Sequence, residues 1–366
     1  MRLAGRGYFH IHYVGLGLLA IGLILGSSLT KLPLRFAWGN FLFTYWFGLA
    51  FQSLILAPTL FLLRFPLKPT LAQIGERYRC QKSRILPLAI FLGLMAWEFG
   101  WAWGVVLTVL TVGLLEALDR AKWDFAVVYR WAKDVSPPAA YLFAGLVLVF
   151  AYNDLIAATR FTGAYDAAFL RMDAWILRGG SVSEISHRVL HAHPGLFDFL
   201  EVIYFRMFPQ IGAALAITAF CGGRKEAFRF ACTVLTAYYL ALLAFAIWPS
   251  MGPFFTCRVH FAEFPTRLTT TMAQWNFLAK ASLLWQHRPI DVIDTDFYIA
   301  FPCMHIAQPM IVLWYLRGWR KVTIFLLLYD VLLVPAILLL EWHYVVDLIG
   351  GILVAGLAIA LNSRRH

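Results

Sequence analysis

Apolar runs recur along almost the whole chain, at about residues 13–29, 41–63, 85–97, 101–116, 138–158, 199–220, 230–249, 298–316, 322–340 and 343–361. Most are close to the ~20 residues that a helix needs to cross a bilayer. The composition points the same way, with 61% hydrophobic and only 14% charged residues. A soluble domain is nearer 45–50% apolar and about 25% charged, and the excess cannot fit inside one water-soluble core. The expected fold is an all-α, polytopic integral membrane protein with about ten transmembrane helices. The third and fourth runs are split by Glu98 and Gly100, and one long bent helix is the alternative there. That choice sets the side of the N-terminus and leaves the later helices unchanged.

Other features narrow the class. No hydrophilic segment is long enough for a separate soluble domain, and there is no internal repeat or low-complexity tract. The first run follows Arg2 and Arg6 and mimics a signal peptide, but a small-x-small cleavage site is lacking, so it is read as a helix. Cys80, Cys221, Cys232, Cys257 and Cys303 are odd in number and form no C-x-x-C pair, which argues against a disulfide framework or a zinc knuckle. The net charge of +11 is not gathered in a basic, foldable stretch suited to nucleic acid. A positive cytoplasmic surface beside anionic lipid accounts for it.

Lysine and arginine set the orientation. With ten helices and both ends inside, the inner segments hold 20 basic residues and the outer segments 10. Short turns such as "CGGRKEAFR" and "LRGWRKV" carry the inner charge, as the positive-inside rule requires. Two longer loops, at about 159–198 and 250–297, lie outside. The short loops favour a bacterial inner membrane, with those outer loops in the periplasm.

Against this apolar background stands "LLLEWHYVVDLIGG", residues 338–351, with His343 and Asp347 in it. Ionisable groups in such a segment are costly and serve a purpose. Their i, i+4 spacing puts them on one helix face. The aspartate can hold the proton of one ring nitrogen and leave the other as a lone pair, the state a nucleophile or base needs. Gly350 and Gly351 follow and permit close approach of a neighbouring helix.

A second element, "FYIAFPCMHIAQP", spans 297–309. Pro302 suits a first helical turn, which would set Cys303, Met304 and His305 at a helix N-terminus where N–H groups favour an anion. His305 and His343 are 38 residues apart, joined by one helix entering the membrane and one returning, so both can meet at the outer face. Two histidines, an aspartate and an anion-binding helix start suggest phosphoryl transfer without metal.

"AFPCMH" and "HYVVDLIGG" resemble the P-S-G-H and S-R-x5-H-x3-D signatures of the type 2 phosphatidic acid phosphatase superfamily. They are more similar to its inositol phosphorylceramide synthase branch, with A-F-P-S-L-H followed by H-Y-x-x-D-x-x-G-G. "WPSMGPFF" at 248–255 is similar to that branch's proline-rich segment. The resemblance covers roughly 138–361, a six-helix core, and leaves the first 130 residues unexplained. The expected division is 1–130, helices of unknown role, and 131–366, the catalytic core. By resemblance His343 is the nucleophile that forms a phosphohistidine, Asp347 orients it, and His305 protonates the leaving group and then serves as base. The family's serine is Cys303 here, its glycine is Met304, its arginine is Ile337, and the K-x6-R-P motif is absent. Arg258, with Arg206 second, is the candidate replacement for the lost phosphate charge. Cys303 and Tyr344 complete the expected substrate contacts.

The resemblance implies a phosphotransferase that moves a phosphoinositol-like head group from a membrane phospholipid to a lipid alcohol, with no cofactor and no nucleic-acid partner. The alternatives are a lipid or polyprenyl phosphate phosphatase with water as acceptor, and, from another class, a proton-coupled transporter. A transporter more often shows internal repeats and polar residues spread to the midplane. Other groups have plainer readings. His187, His191 and His193 in "HRVLHAH" invite a metal, but a solvated outer helix explains them. Asp294 and Asp296 are either hydroxyl ligands or loop residues, and Asp330 is a core residue or a partner for a polar group.

Overall fold

The computed structural model describes residues 3–30, 34–35, 125–205, 207–256, 269–286, 290–291 and 298–363. The apolar runs expected between 41 and 116, together with Arg206, Arg258, Asp294 and Asp296, lie outside the described residues. What is described is almost entirely helical: α1 (Leu3–Thr30), α2 (Phe125–Arg160), α3 (Ala164–Ile176), α4 (Val182–Ala192), α5 (Pro194–Phe205), α6 (Pro209–Ile247), α7 (Pro253–Thr256), α8 (Thr269–Trp285), α9 (Met304–Leu316), α10 (Arg320–Leu339) and α11 (Val345–Ser363). Leu34–Arg35 and Ile290–Asp291 form a two-residue parallel bridge.

Four stretches are long and apolar enough to cross a membrane: Lys133–Arg160, Pro194–Ile247, Arg320–Leu339 and Val345–Ser363. They are consistent with an integral membrane protein. The outward faces of the last two carry exposed Leu327, Leu328, Val331, Ile352, Leu353 and Leu357. Such a concentration of bare aliphatic surface suits hydrocarbon rather than water.

The second stretch, at 54 residues, is far longer than one crossing needs. Its break is at Gly223, whose φ of 68° and ψ of −170° interrupt α6 in the basic turn "CGGRKEAFR". A positive φ is open to glycine without steric cost. The contacts show that the chain reverses there. Tyr204 and Phe208 flank His305. Past the break, Arg224 donates to the Lys133 carbonyl at 2.8 Å, at the start of the α2 span. At the far end Arg160 donates to the Ala246 carbonyl, and Ser250 accepts from Ala300 N–H, back at the level of His305. Residues 224–247 therefore run alongside α2, and antiparallel to α9 through Thr233–Tyr315 and Gln308–Tyr238 contacts.

The main core forms where α2, both arms of α6, α9 and α11 meet, around Leu235, Phe230, Ala307, Ile311 and Ala355. A smaller core joins α4, α5, α9 and α10 through Leu190, Phe197, Tyr204, Cys303 and Ile337. Ile337, which stands where the resemblance leads one to expect an arginine, is thus an apolar core residue. The described parts of the two long outer loops expected from the sequence are largely helical, with α3 and α4 in one and α7 and α8 in the other. α4 opens with a capping box of Ser181 and Glu184 and buries Ser183, Ser186 and Leu190. This leaves its histidine-bearing side outward, with the His187 and His191 rings 4.4 Å apart.

Candidate active site

α9 and α11 meet through an unusually close contact. A Cβ on Gly351 would overlap the Cys303 carbonyl oxygen, and one on Gly350 would fall 2.6 Å from Phe301 Cε2. The expected role of this glycine pair is therefore realised, and its partner is the motif "FPCMH". The Cys303 N–H donates to the Asp347 backbone carbonyl at 2.9 Å, which ties the two motifs together. One expectation changes. Pro302 is not in the first turn; α9 begins at Met304 with Cys303 as N-cap, so the proline precedes the helix. Cys303, Met304 and His305 still form the helix start.

His305 Nδ1 then lies 3.2 Å from His343 Nε2, and His343 Nδ1 lies 3.3 Å from Asp347 Oδ2. The Tyr344 N–H donates to the same carboxylate oxygen at 2.9 Å and fixes it. With Asp347 as acceptor, the His343 ring proton sits on Nδ1 and the Nε2 lone pair faces His305. His343 and Asp347 are almost fully buried. Aromatic rings wall the site. Tyr204 stacks on His305 at 4.6 Å and on Trp342 at 5.4 Å, and Phe208 meets His305 edge-on. Next to His305 a cleft of about 190 Å³ runs between α9 and α10, lined by Pro309, Met310, Leu313, Val331 and Asp330. Asp330 accepts from Gln210 at 2.9 Å, so it does reach a polar group.

Tyr344 faces away from the histidines. Its hydroxyl lies 3.2 Å from Asp166 Oδ1 and 3.4 Å from Thr256, and its ring packs against Phe169. Asp166 and Asp173 are the residues that sequence reasoning missed. Asp166 also accepts from Met251 and Gly252 N–H, and Asp173 accepts from Val345 N–H at 3.0 Å and Val346 N–H at 3.3 Å. Asp173 thus caps the first turn of α11, where unpaired N–H groups need acceptors, and holds the backbone just after His343, while Asp166 ties the Met251–Gly252 backbone to the side chain of Tyr344. Burial pushes Asp166 up to about 7 against the pull of the Gly252 and Met251 N–H groups, and Asp173 up to about 6. The signal lay in "YDAAFLRMD": two aspartates seven apart share a helix face.

Among the described residues, a group of three possible metal ligands occurs at Cys303, His305 and His343, and not at His187, His191 and His193.

Two touching histidines and an aspartate lie together at helix starts among apolar helices, an arrangement suited to phosphoryl transfer in a membrane protein. The chain belongs to the PAP2 superfamily, whose family model matches residues 167–361, more than half of the sequence and all three of these residues. The match begins inside α3, so Asp173 falls within it and Asp166 just outside. No curated protein and no solved structure matches the chain.

Proposed function

We propose that the protein is a lipid phosphotransferase in which His343 attacks phosphorus and a lipid alcohol receives the phosphate-bearing head group. The observation that carries this reading is the continuous chain Asp347–His343–His305, with contacts of 3.3 and 3.2 Å. His343 Nε2 forms the bond to phosphorus as the bond to the departing oxygen breaks, and His305 gives that oxygen its proton. The acceptor hydroxyl then loses its proton to His305 and takes the phosphoryl group from His343. A bound phosphoryl group parts the two rings, close to N–H groups at the start of α9 that have no partner within the helix. Arg258 and Arg206 are the proposed sources of positive charge.

A lipid acceptor is favoured over water by the apolar wall of Tyr204, Phe208, Trp342 and Met304 and by the cleft beside His305. The branch-like stretches "AFPCMH" and "HYVVDLIGG" support a phosphoinositol-type head group. Counting the two arms of α6 and the short apolar α9 with α2, α10 and α11 supports a six-helix core, and the basic inner turns support a site facing the periplasm of a bacterial inner membrane.

Incubation of the purified chain with labelled lipids, followed by mass spectrometry, tests the reading. Slow hydrolysis of the donor alone, and marked acceleration with a lipid alcohol that becomes labelled, is expected. Rapid release of free head-group phosphate with no labelled lipid alcohol would instead establish the phosphatase.

A further inference from the structure

We infer that Cys303, His305 and His343 form a binding site for a borderline divalent metal such as zinc or cobalt, and that the bound ion blocks the nucleophile. The Cys303 thiol and one nitrogen of each histidine lie within 4.8 Å of one another. Tetrahedral zinc, with bonds of about 2.0–2.3 Å, holds its ligand atoms roughly 3.3–3.6 Å apart. The His305–His343 pair, at 3.2 Å, has that spacing already. Small rotations of the Cys303 and His305 side chains bring the sulfur into range.

The surroundings are those of a metal site. His343 presents Nε2 while Nδ1 is held by Asp347, an arrangement that orients an imidazole ligand and raises its basicity. Cys303 is wholly buried, and its N–H is fastened to the Asp347 carbonyl, so the sulfur cannot swing away with its backbone. The Nε2 atom of His305 is buried without a hydrogen-bond partner, so this ring is not committed to another structural bond through that atom. A thiolate with two imidazoles selects zinc or cobalt over magnesium or calcium, and the serine of the family pattern would not. Binding releases the thiol proton to solvent and leaves a fourth position for water.

Metal binding stands on this geometry alone. Inhibition rests on the proposed role of His343, because the ion occupies the lone pair that would attack phosphorus.

Titration of the purified full-length chain with Co²⁺ separates the two. A thiolate-to-cobalt charge-transfer absorption that saturates at one ion per chain is expected. It should vanish in Cys303→Ser. It should persist in a chain carrying Cys80→Ser, Cys221→Ser, Cys232→Ala and Cys257→Ser, where Cys303 is the remaining thiol, and in His187→Ala/His191→Ala. Asp347→Asn should weaken binding roughly 10–100-fold. No such absorption in the unaltered chain, the same absorption in Cys303→Ser, or its loss when Cys303 is the remaining thiol overturns the site. Absorption at one ion per chain with lipid transfer unaffected supports the site and overturns His343 as nucleophile.

Discussion

The Tyr344 hydroxyl rests 3.2 Å from Asp166 Oδ1, across 178 residues of sequence. Asp166 also receives the N–H groups of Met251 and Gly252. One buried carboxylate therefore joins α3, the "PSMGP" segment and the residue next to His343. Removing it as Asp166→Ala strands two backbone donors, and an unsatisfied buried polar group costs about 1–3 kcal/mol. The variant should lose at least about 2 kcal/mol of stability by denaturant titration in detergent. An unchanged midpoint would show that this carboxylate is not a structural tie.

The same group gives the fold a pH dependence. An aspartate in an unfolded chain has a pKa of about 3.9, whereas burial sets Asp166 at about 7. Between these values the unfolded state has lost the proton and the folded state keeps it. Its contribution is therefore fully present below about pH 4 and is lost as pH rises through about 7. Asp173, at about 6, acts in the same direction. Thermal melts from pH 4 to 8 should show this decline, and Asp166→Asn should flatten it. A slope as steep in Asp166→Asn as in the unaltered chain would assign the effect to other groups.

His343→Ala and His305→Ala should each abolish turnover, by about three orders of magnitude or more, while the chain still folds. They hold separate roles, and loss of one member of such a unit removes most of its effect. Asp347→Asn should retain more activity, since the nucleophile survives with its preferred tautomer lost. Single-turnover assays with a labelled donor measure all three. Near-normal rates in either histidine variant would sink the mechanism.

Much of the site was legible because its chemistry is local. His343 and Asp347 are only four residues apart, although His343 stands just before α11 and so does not share its helix face as the spacing predicts, and the glycines that bring α9 against them are adjacent in sequence. The meeting of His305 with His343 followed from a hairpin of known length. The turn at Gly223 was legible from its charge and glycines, although the two arms read as one helix by backbone pattern. Asp166 and Asp173 showed only as two aspartates seven apart on one helix face; their partners could not be read, because most are main-chain N–H groups at least 85 and 172 residues away, which leave no side-chain signature. Tyr344, expected as a substrate contact from its place beside His343, stands just before α11, with its hydroxyl near Asp166 and Thr256.

Turnover should survive prolonged treatment with EDTA. In the proposed steps the imidazoles carry the bond making and the proton transfer, and no step is assigned to a metal. Added Zn²⁺ should inhibit, with chelator restoring the rate. The opposite pattern, activity lost in EDTA and regained with zinc or magnesium, would replace the phosphohistidine scheme with metal-assisted transfer.

The contact of α9 with α11 sets the distance between the two histidines, and it depends on Gly351. In Gly351→Ala the new methyl group meets the Cys303 carbonyl oxygen and Ile306 Cβ. The first is main chain and held by its neighbours, so the side chain cannot be accommodated by a rotamer change. Overpacking of this kind costs about 1–3 kcal/mol, and a shift of α11 that relieves it carries His343 away from His305. Gly356 lies on the same helix, and a methyl group there would meet nothing within 4 Å, so Gly356→Ala removes only the helix penalty of glycine. Gly351→Ala should therefore lower both the melting temperature and the rate, whereas Gly356→Ala should leave the rate unchanged and hold or raise the melting temperature. Equal behaviour of the two variants in paired melts and single-turnover assays would mean that the α9–α11 distance does not control the site.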